Sequence, residues 1–139
     1  MVNFGGFKMN LPGGWYDSTH EVEADNPPLT ITKQDGVGAL QFTVALYTSG
    51  KLPNATVRDV HDMLLNFVGD SGPPRDVVLE DEPLPLAACS FDWQGSFVRA
   101  WFVTDGSNFA QVTYICEPQA IGPELAEAEA IVRSLTFGD

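Results

Sequence analysis

The sequence predicts an α+β fold, an α/β/α sandwich around a central, mostly antiparallel sheet of about six or seven strands, with two main helices near 56–69 and 123–135. Three observations carry this. Strand-like alternation with tight-turn signals dominates the chain before Tyr47 and again after Leu86. Two segments switch to a helical period. In the C-terminal strand run both faces are apolar, so both must be covered. At 139 residues the chain reads as one domain over 1–139.

The elements follow in order. Phe7-Lys8-Met9-Asn10-Leu11 alternates and stops at Pro12-Gly13-Gly14. Trp15 to Val22 resumes an extended pattern, broken at Asp25-Asn26-Pro27-Pro28. Leu29 to Lys33 is a third strand, and Asp35-Gly36 signals a hairpin into a fourth, Ala39 to Tyr47. Val57, Val60, Leu64, Phe67 and Val68 then recur at three- and four-residue steps, one face of a helix, with Thr56 and Asp59 in a capping arrangement. Gly69, Gly72, Pro73 and Pro74 end it.

Arg75 to Glu82 reads as an edge strand. From Leu86 a three-strand meander follows, with two-residue turns at Gln94-Gly95 and Asp105-Gly106. Those turns set Phe97 opposite Asp92 and Tyr114. One face then carries Cys89, Phe91, Trp93, Val98, Phe102, Phe109 and Ile115. The other carries Phe97, Trp101, Val103, Val112, Tyr114 and Cys116, with Arg99 near Asp92. Cys89 and Cys116 lie on the outer strands and on opposite faces. That separation of roughly 9–10 Å exceeds disulfide reach, so two free thiols are expected. Gly122-Pro123 opens the last helix. Its buried stripe is Leu125, Ala128, Val132 and Leu135, with Ile131 alongside; Glu124 and Glu127 favour its N-terminal end, and Glu129 pairs with Arg133 at i,i+4.

Composition narrows function by exclusion. Hydrophobic residues make 44% of the chain and charged residues 19%, a globular balance. Seven Lys and Arg against nineteen Asp and Glu give a net charge of −12. That argues against nucleic acid and against docking on an anionic membrane. The N-terminus has no basic-then-apolar signal pattern, so a cytoplasmic protein is expected. Asn54-Ala55-Thr56 fits a glycosylation sequon but reads as the start of the helix.

No catalytic, cofactor or metal constellation emerges. His20, Glu21, Glu23 and Asp25 gather ligand types, but on a strand His20 points away from the three acids. His61 lacks a Ser or Cys nucleophile at diagnostic spacing. Gly36-Val37-Gly38 reads as a hairpin rather than a phosphate cradle. Trp15, Trp93 and Trp101 read as core or turn packing, and any of them left exposed becomes an interface hot spot. Glu80, Asp81 and Glu82 form an acidic run that reads as a solubilising loop or, as the candidate partner-binding residues, as a patch that meets a basic partner.

Three segments together resemble the Mog1/PsbP-like superfamily, and within it bacterial DcrB-like, DUF1795-type proteins. They are the opening strand with its Leu11-Pro12-Gly13-Gly14-Trp15 turn, the meander with Trp101-Phe102-Val103 and Val112-Thr113-Tyr114, and the closing Ala128 to Phe137 with its Ser134-Leu135-Thr136-Phe137 tail. The resemblance implies the sandwich described above and mainly non-catalytic roles: photosystem assembly, nuclear-transport adaptor work and chaperoning of secreted effectors. It carries over no binding residue. The expectation is a non-catalytic protein-binding domain, first a cytosolic immunity or inhibitor protein for a bacterial toxin. The alternatives are a chaperone or adaptor for a secreted, type VI-like effector, and a small-ligand carrier using a sheet–helix pocket near Arg99. An open apolar groove would favour the chaperone, a charged patch the inhibitor.

Overall fold

The structure, a computed structural model, describes residues 2–46 and 54–138; the expected end of the fourth strand at Tyr47 lies outside them. Seven strands form one antiparallel sheet: β3 (Trp15–Asp17), β4 (Leu29–Lys33), β5 (Gly38–Ala45), β6 (Arg75–Glu80), β7 (Leu86–Trp93), β8 (Ser96–Thr104) and β9 (Phe109–Cys116). Their spatial order is β3-β4-β5-β9-β8-β7-β6. Helix α1 (Val57–Val68) lies on one face and α2 (Pro123–Arg133) on the other.

The opening strand joins a second, smaller sheet. There β2 (Phe7–Met9) sits between β1 (Val2–Asn3) and the C-terminal β10 (Thr136–Phe137). This small sheet shares the α2 side. Phe7 and Met9 pack in one cluster with Phe42, Leu40, Trp101, Ile131 and Val132, and the Phe7 and Phe42 rings stand 6.5 Å apart. The α2 face therefore has two covers, a helix and a sheet. The α1 face has α1, which packs Val60, Leu64 and Val68 on Ala87, Cys89, Phe91, Val98, Ala100 and Phe102 of β7 and β8.

The expected faces of the meander hold, but one register moves by two residues. Phe97 pairs with Asp92 and with Cys116, not Tyr114. The turn after Thr104 is four residues long because the Asp105 carboxylate accepts the N–H groups of Ser107 at 3.0 Å and Asn108 at 2.8 Å. An Asx-type turn thus replaces the two-residue one. A slip of two keeps each side chain on its face, where a slip of one would have inverted it. Cys89 and Cys116 stay on opposite faces, free and buried.

Other boundaries shift for local reasons. The extended stretch from Trp15 stops at Asp17, whose carboxylate takes the Thr19 N–H at 3.0 Å and hydroxyl at 2.6 Å. That turns Thr19–Glu21 into a single 3₁₀ turn. Helix α2 ends at Arg133, two residues early. Ser134 donates its hydroxyl to the Ile131 carbonyl at 2.6 Å and accepts the Asn10 N–H at 2.8 Å, tying the helix end to the small sheet. At α1 the Asp59 carboxylate accepts the Thr56 N–H at 2.8 Å, as the capping pattern predicts.

Candidate functional site

The two sides of the sheet are built differently. Over β7 and β8 the α1 face is closed, but α1 does not reach across β9 and β5. Alternation along those strands sends Leu40, Phe42, Val112 and Tyr114 to the α2 side and Gln41, Thr43, Gln111 and Thr113 to the α1 side. Gln41 lies directly across from Thr113, and Thr43 across from Gln111. These four side chains have no hydrogen bond among the described residues.

They floor a cleft of ≈ 390 Å³ whose walls are aromatic and aliphatic: Phe67, Phe91, Trp93, Val98 and Ile115. Phe67 stands at the border, 39% exposed, edge-on to Phe91 at 6.1 Å and Phe102 at 5.8 Å. It therefore departs from the buried helix stripe expected of it. Trp93 is 49% exposed at the cleft, while Trp15 and Trp101 are buried. Trp93 is therefore the exposed tryptophan that the sequence left as a hot-spot candidate. The sequence reading missed the floor, although the Gln and Thr alternation in β5 and β9 was its signal: a face written in polar residues is not covered by a core.

The α2 face is instead stapled by acids of α2. Glu124, buried, accepts the N–H groups of Val37 at 2.9 Å and Gly38 at 3.1 Å. The Gly36-Val37-Gly38 hairpin thus cradles a carboxylate of its own chain. Both glycines are needed for that approach: a Cβ at Gly38 would lie 2.5 Å from the Tyr114 ring, and one at Gly36 would lie 2.8 Å from the Lys33 carbonyl and 3.0 Å from the Glu124 carboxylate. Burial, with Glu124 beside it, pushes the Tyr114 phenol far above its ordinary range. Glu127 meets Lys33 at 2.6 Å. Glu129 accepts the Trp101 indole N–H at 2.8 Å and pairs with Arg133 at 3.2 Å, the expected i,i+4 contact.

Arg99 is not beside Asp92. It bonds to Ser90, its cross-strand partner, and to the Asp76 carbonyl, whereas exposed Asp92 holds Arg75 through two hydrogen bonds of 3.1 and 3.2 Å. Asp92 sits at the strand end, two positions further along the face than Ser90, so the edge-strand cation takes it.

Of the acidic run, Glu80 ends β6 and is held by Arg133, whose guanidinium that contact pushes above its ordinary range. Asp81 and Glu82 are exposed in the following loop. Its members do not act as one free patch. His20 and Glu21 lie in the 3₁₀ turn, 3.9 Å apart, with Glu23 and Asp25 exposed beyond it, so the face expected of a strand does not exist. His61 is half-buried on α1 with no hydrogen bond or ion pair among the described residues. Burial pushes the Cys89 thiol up against the opposing charge of Arg99, and it pushes Cys116 up as well. Both thiols are held away from the reactive thiolate.

No protein-family model and no curated protein matches the chain. Solved structures do. A protein of Bacteroides thetaiotaomicron VPI-5482 superposes with a TM-score of 0.63 at 17% identity, over 96% of this chain and 45% of that one. This chain thus spans less than half of that protein. Cyanobacterial PsbP (CyanoP) from Synechocystis sp. PCC 6803 superposes with a TM-score of 0.58 at 12% identity, over 99% of this chain and 95% of that one. The fold is PsbP/Mog1-like. No helix among the described residues is long and apolar enough to cross a membrane.

Proposed function

We propose that this protein is a non-catalytic binding module that holds an apolar segment of a protein partner in the cleft between α1 and strands β5 and β9. In the terms set by the sequence, this is the chaperone or adaptor role of a DcrB-like protein in the cytoplasm. The observation that carries it is the cleft itself. Phe67, Phe91 and Trp93 offer ring faces, and the Gln41–Thr113 and Thr43–Gln111 rows offer unused donors and acceptors. Such a surface suits a segment that is mainly apolar with occasional polar groups.

Charge supports a partner with basic flanks. Of the seven cations, Lys33, Arg75, Arg99 and Arg133 are engaged with carboxylates, so the surface field is that of an acidic protein with net charge −12. The inhibitor role is supported by exposed Asp81 and Glu82, but Glu80, the third acid of that run, is occupied by Arg133. Photo-crosslinking from position 111, compared with position 81, separates the two. The expected result is a crosslink from 111 that maps to an apolar segment of one protein. Crosslinks formed only from 81, to a folded basic domain, would return the inhibitor role and overturn the groove.

A further inference from the structure

A second cleft, of ≈ 380 Å³, opens on the opposite face of the sheet between α2 and strands β6–β8, and Arg99 is in its wall. Arg99 is 6% exposed, yet its hydrogen bonding is incomplete. Nη1 donates to the Asp76 carbonyl at 2.8 Å and to Ser90 Oγ at 3.1 Å. Nε stands 3.5 Å from Glu129 Oε1, too long for a good hydrogen bond, because the other oxygen of that carboxylate is drawn to Trp101 and Arg133. The two N–H groups of Nη2 have no hydrogen bond among the described residues.

A buried guanidinium is ordinarily saturated by its neighbours. Here the unused edge is not sealed in. Among the described residues Trp15 Nε1 is the sole fully buried side-chain nitrogen or oxygen without a partner, so Nη2 of Arg99 is not fully sealed, and Arg99 lines the cleft. Ser90 adds a third donor: its oxygen accepts from Arg99 and its own proton has no acceptor among the described residues. Leu125 and Ala126 give the cleft an apolar wall. The arrangement is held under backbone strain. Asp76 sits at φ +49 in the β6 bulge, in the left-handed region, and its carbonyl meets Arg99.

We propose that this cleft binds the carboxylate of a monoanion with an apolar stem, the carboxylate on Arg99 Nη2 and the Ser90 hydroxyl and the stem along Leu125 and Ala126. Arginine donors suit a carboxylate. The nearby Glu129 and the acidic field limit the guest to one negative charge. The carboxylate belongs either to a free small acid or to the C-terminus of a peptide, and one experiment tells them apart. The 139-residue chain, labelled with nitrogen-15, is titrated with sodium hexanoate, with hexanamide, and with a short peptide ending in a free or an amidated leucine. The Arg99 Nε–H and Trp101 indole signals are followed.

The expected result is a saturable shift with hexanoate or with the free-ended peptide, at least about tenfold weaker for the matching amide and in Arg99→Lys. Ser90→Ala and Leu125→Glu, which leave Arg99 in place, should weaken it too, and they keep the test intact if Arg99→Lys does not fold. Equal binding of acid and amide, no shift with either carboxylate, or binding unchanged in both Ser90→Ala and Leu125→Glu would overturn the site.

Discussion

The two faces of this sheet bury similar side chains and are secured by different means. On the α2 face a helix and a small sheet lie side by side, and three glutamates of one helix reach into the strands: Glu124 to the β4–β5 hairpin, Glu127 to Lys33 and Glu129 to Trp101. On the α1 face, among the described residues, the helix itself meets the strands through apolar contacts, and the strand surface beside it over β5 and β9 is polar and open. The difference teaches where the surface is spare. The stapled face holds the fold and leaves only the small Arg99 cleft open, whereas the unstapled face leaves a broad strip of strand surface that the core does not use.

The comparison is most easily broken at its strongest point. Trp101→Ala removes the largest fully buried side chain on the α2 face and leaves Glu129 without its indole donor. It should cost about 3–5 kcal/mol in a denaturant titration. Leu64→Ala, the matching truncation under α1, should cost about 2–4 kcal/mol and leave the α2 face folded. Native-state hydrogen exchange would show this as faster exchange in α1 than in α2.

Glu124→Gln sets an amide N–H against the Val37 and Gly38 donors and should cost about 1–3 kcal/mol. Alkaline pH should act next. Cys89, Cys116 and Tyr114 hold their protons more tightly when folded than their ordinary pKa values of 9.0 and 10.0 imply. Their contribution is therefore fully present below pH 9.0 and is lost as pH rises through the folded values. The melting temperature should fall from about pH 9 upward, and both thiols should resist alkylation at pH 8 until the chain unfolds. The smallest effect is expected from Thr113→Val in the cleft floor, within about 0.5 kcal/mol of the parent, since that hydroxyl bonds to nothing among the described residues.

Much of the fold was legible because it rests on period. Alternation in β7, β8 and β9 predicted which residues share a face, and the prediction survived a mistaken turn because the error was two residues. The spacing of Val60, Leu64 and Val68 likewise predicted α1. What escaped was whatever depends on elements meeting from afar. Glu124 reads as a helix-dipole residue until a hairpin from 86 positions away donates two N–H groups to it. Proximity in the hairpin sets Arg99 near Asp92, and only the placement of β6 gives Asp92 to Arg75. The cleft was half legible. Its polar floor was written in β5 and β9, but the length of sheet that α1 leaves uncovered was not.

The central claim is that the floor of the α1-side cleft is spare to the fold and serves binding. It is tested most directly in the variant Thr113→Arg by measuring, on the same preparation, the melting temperature and the crosslink from position 111. The account predicts an unchanged melting temperature and a lost crosslink. An undiminished crosslink would place the partner elsewhere, and a collapsed melting temperature would make the floor part of the core; either contradicts the claim.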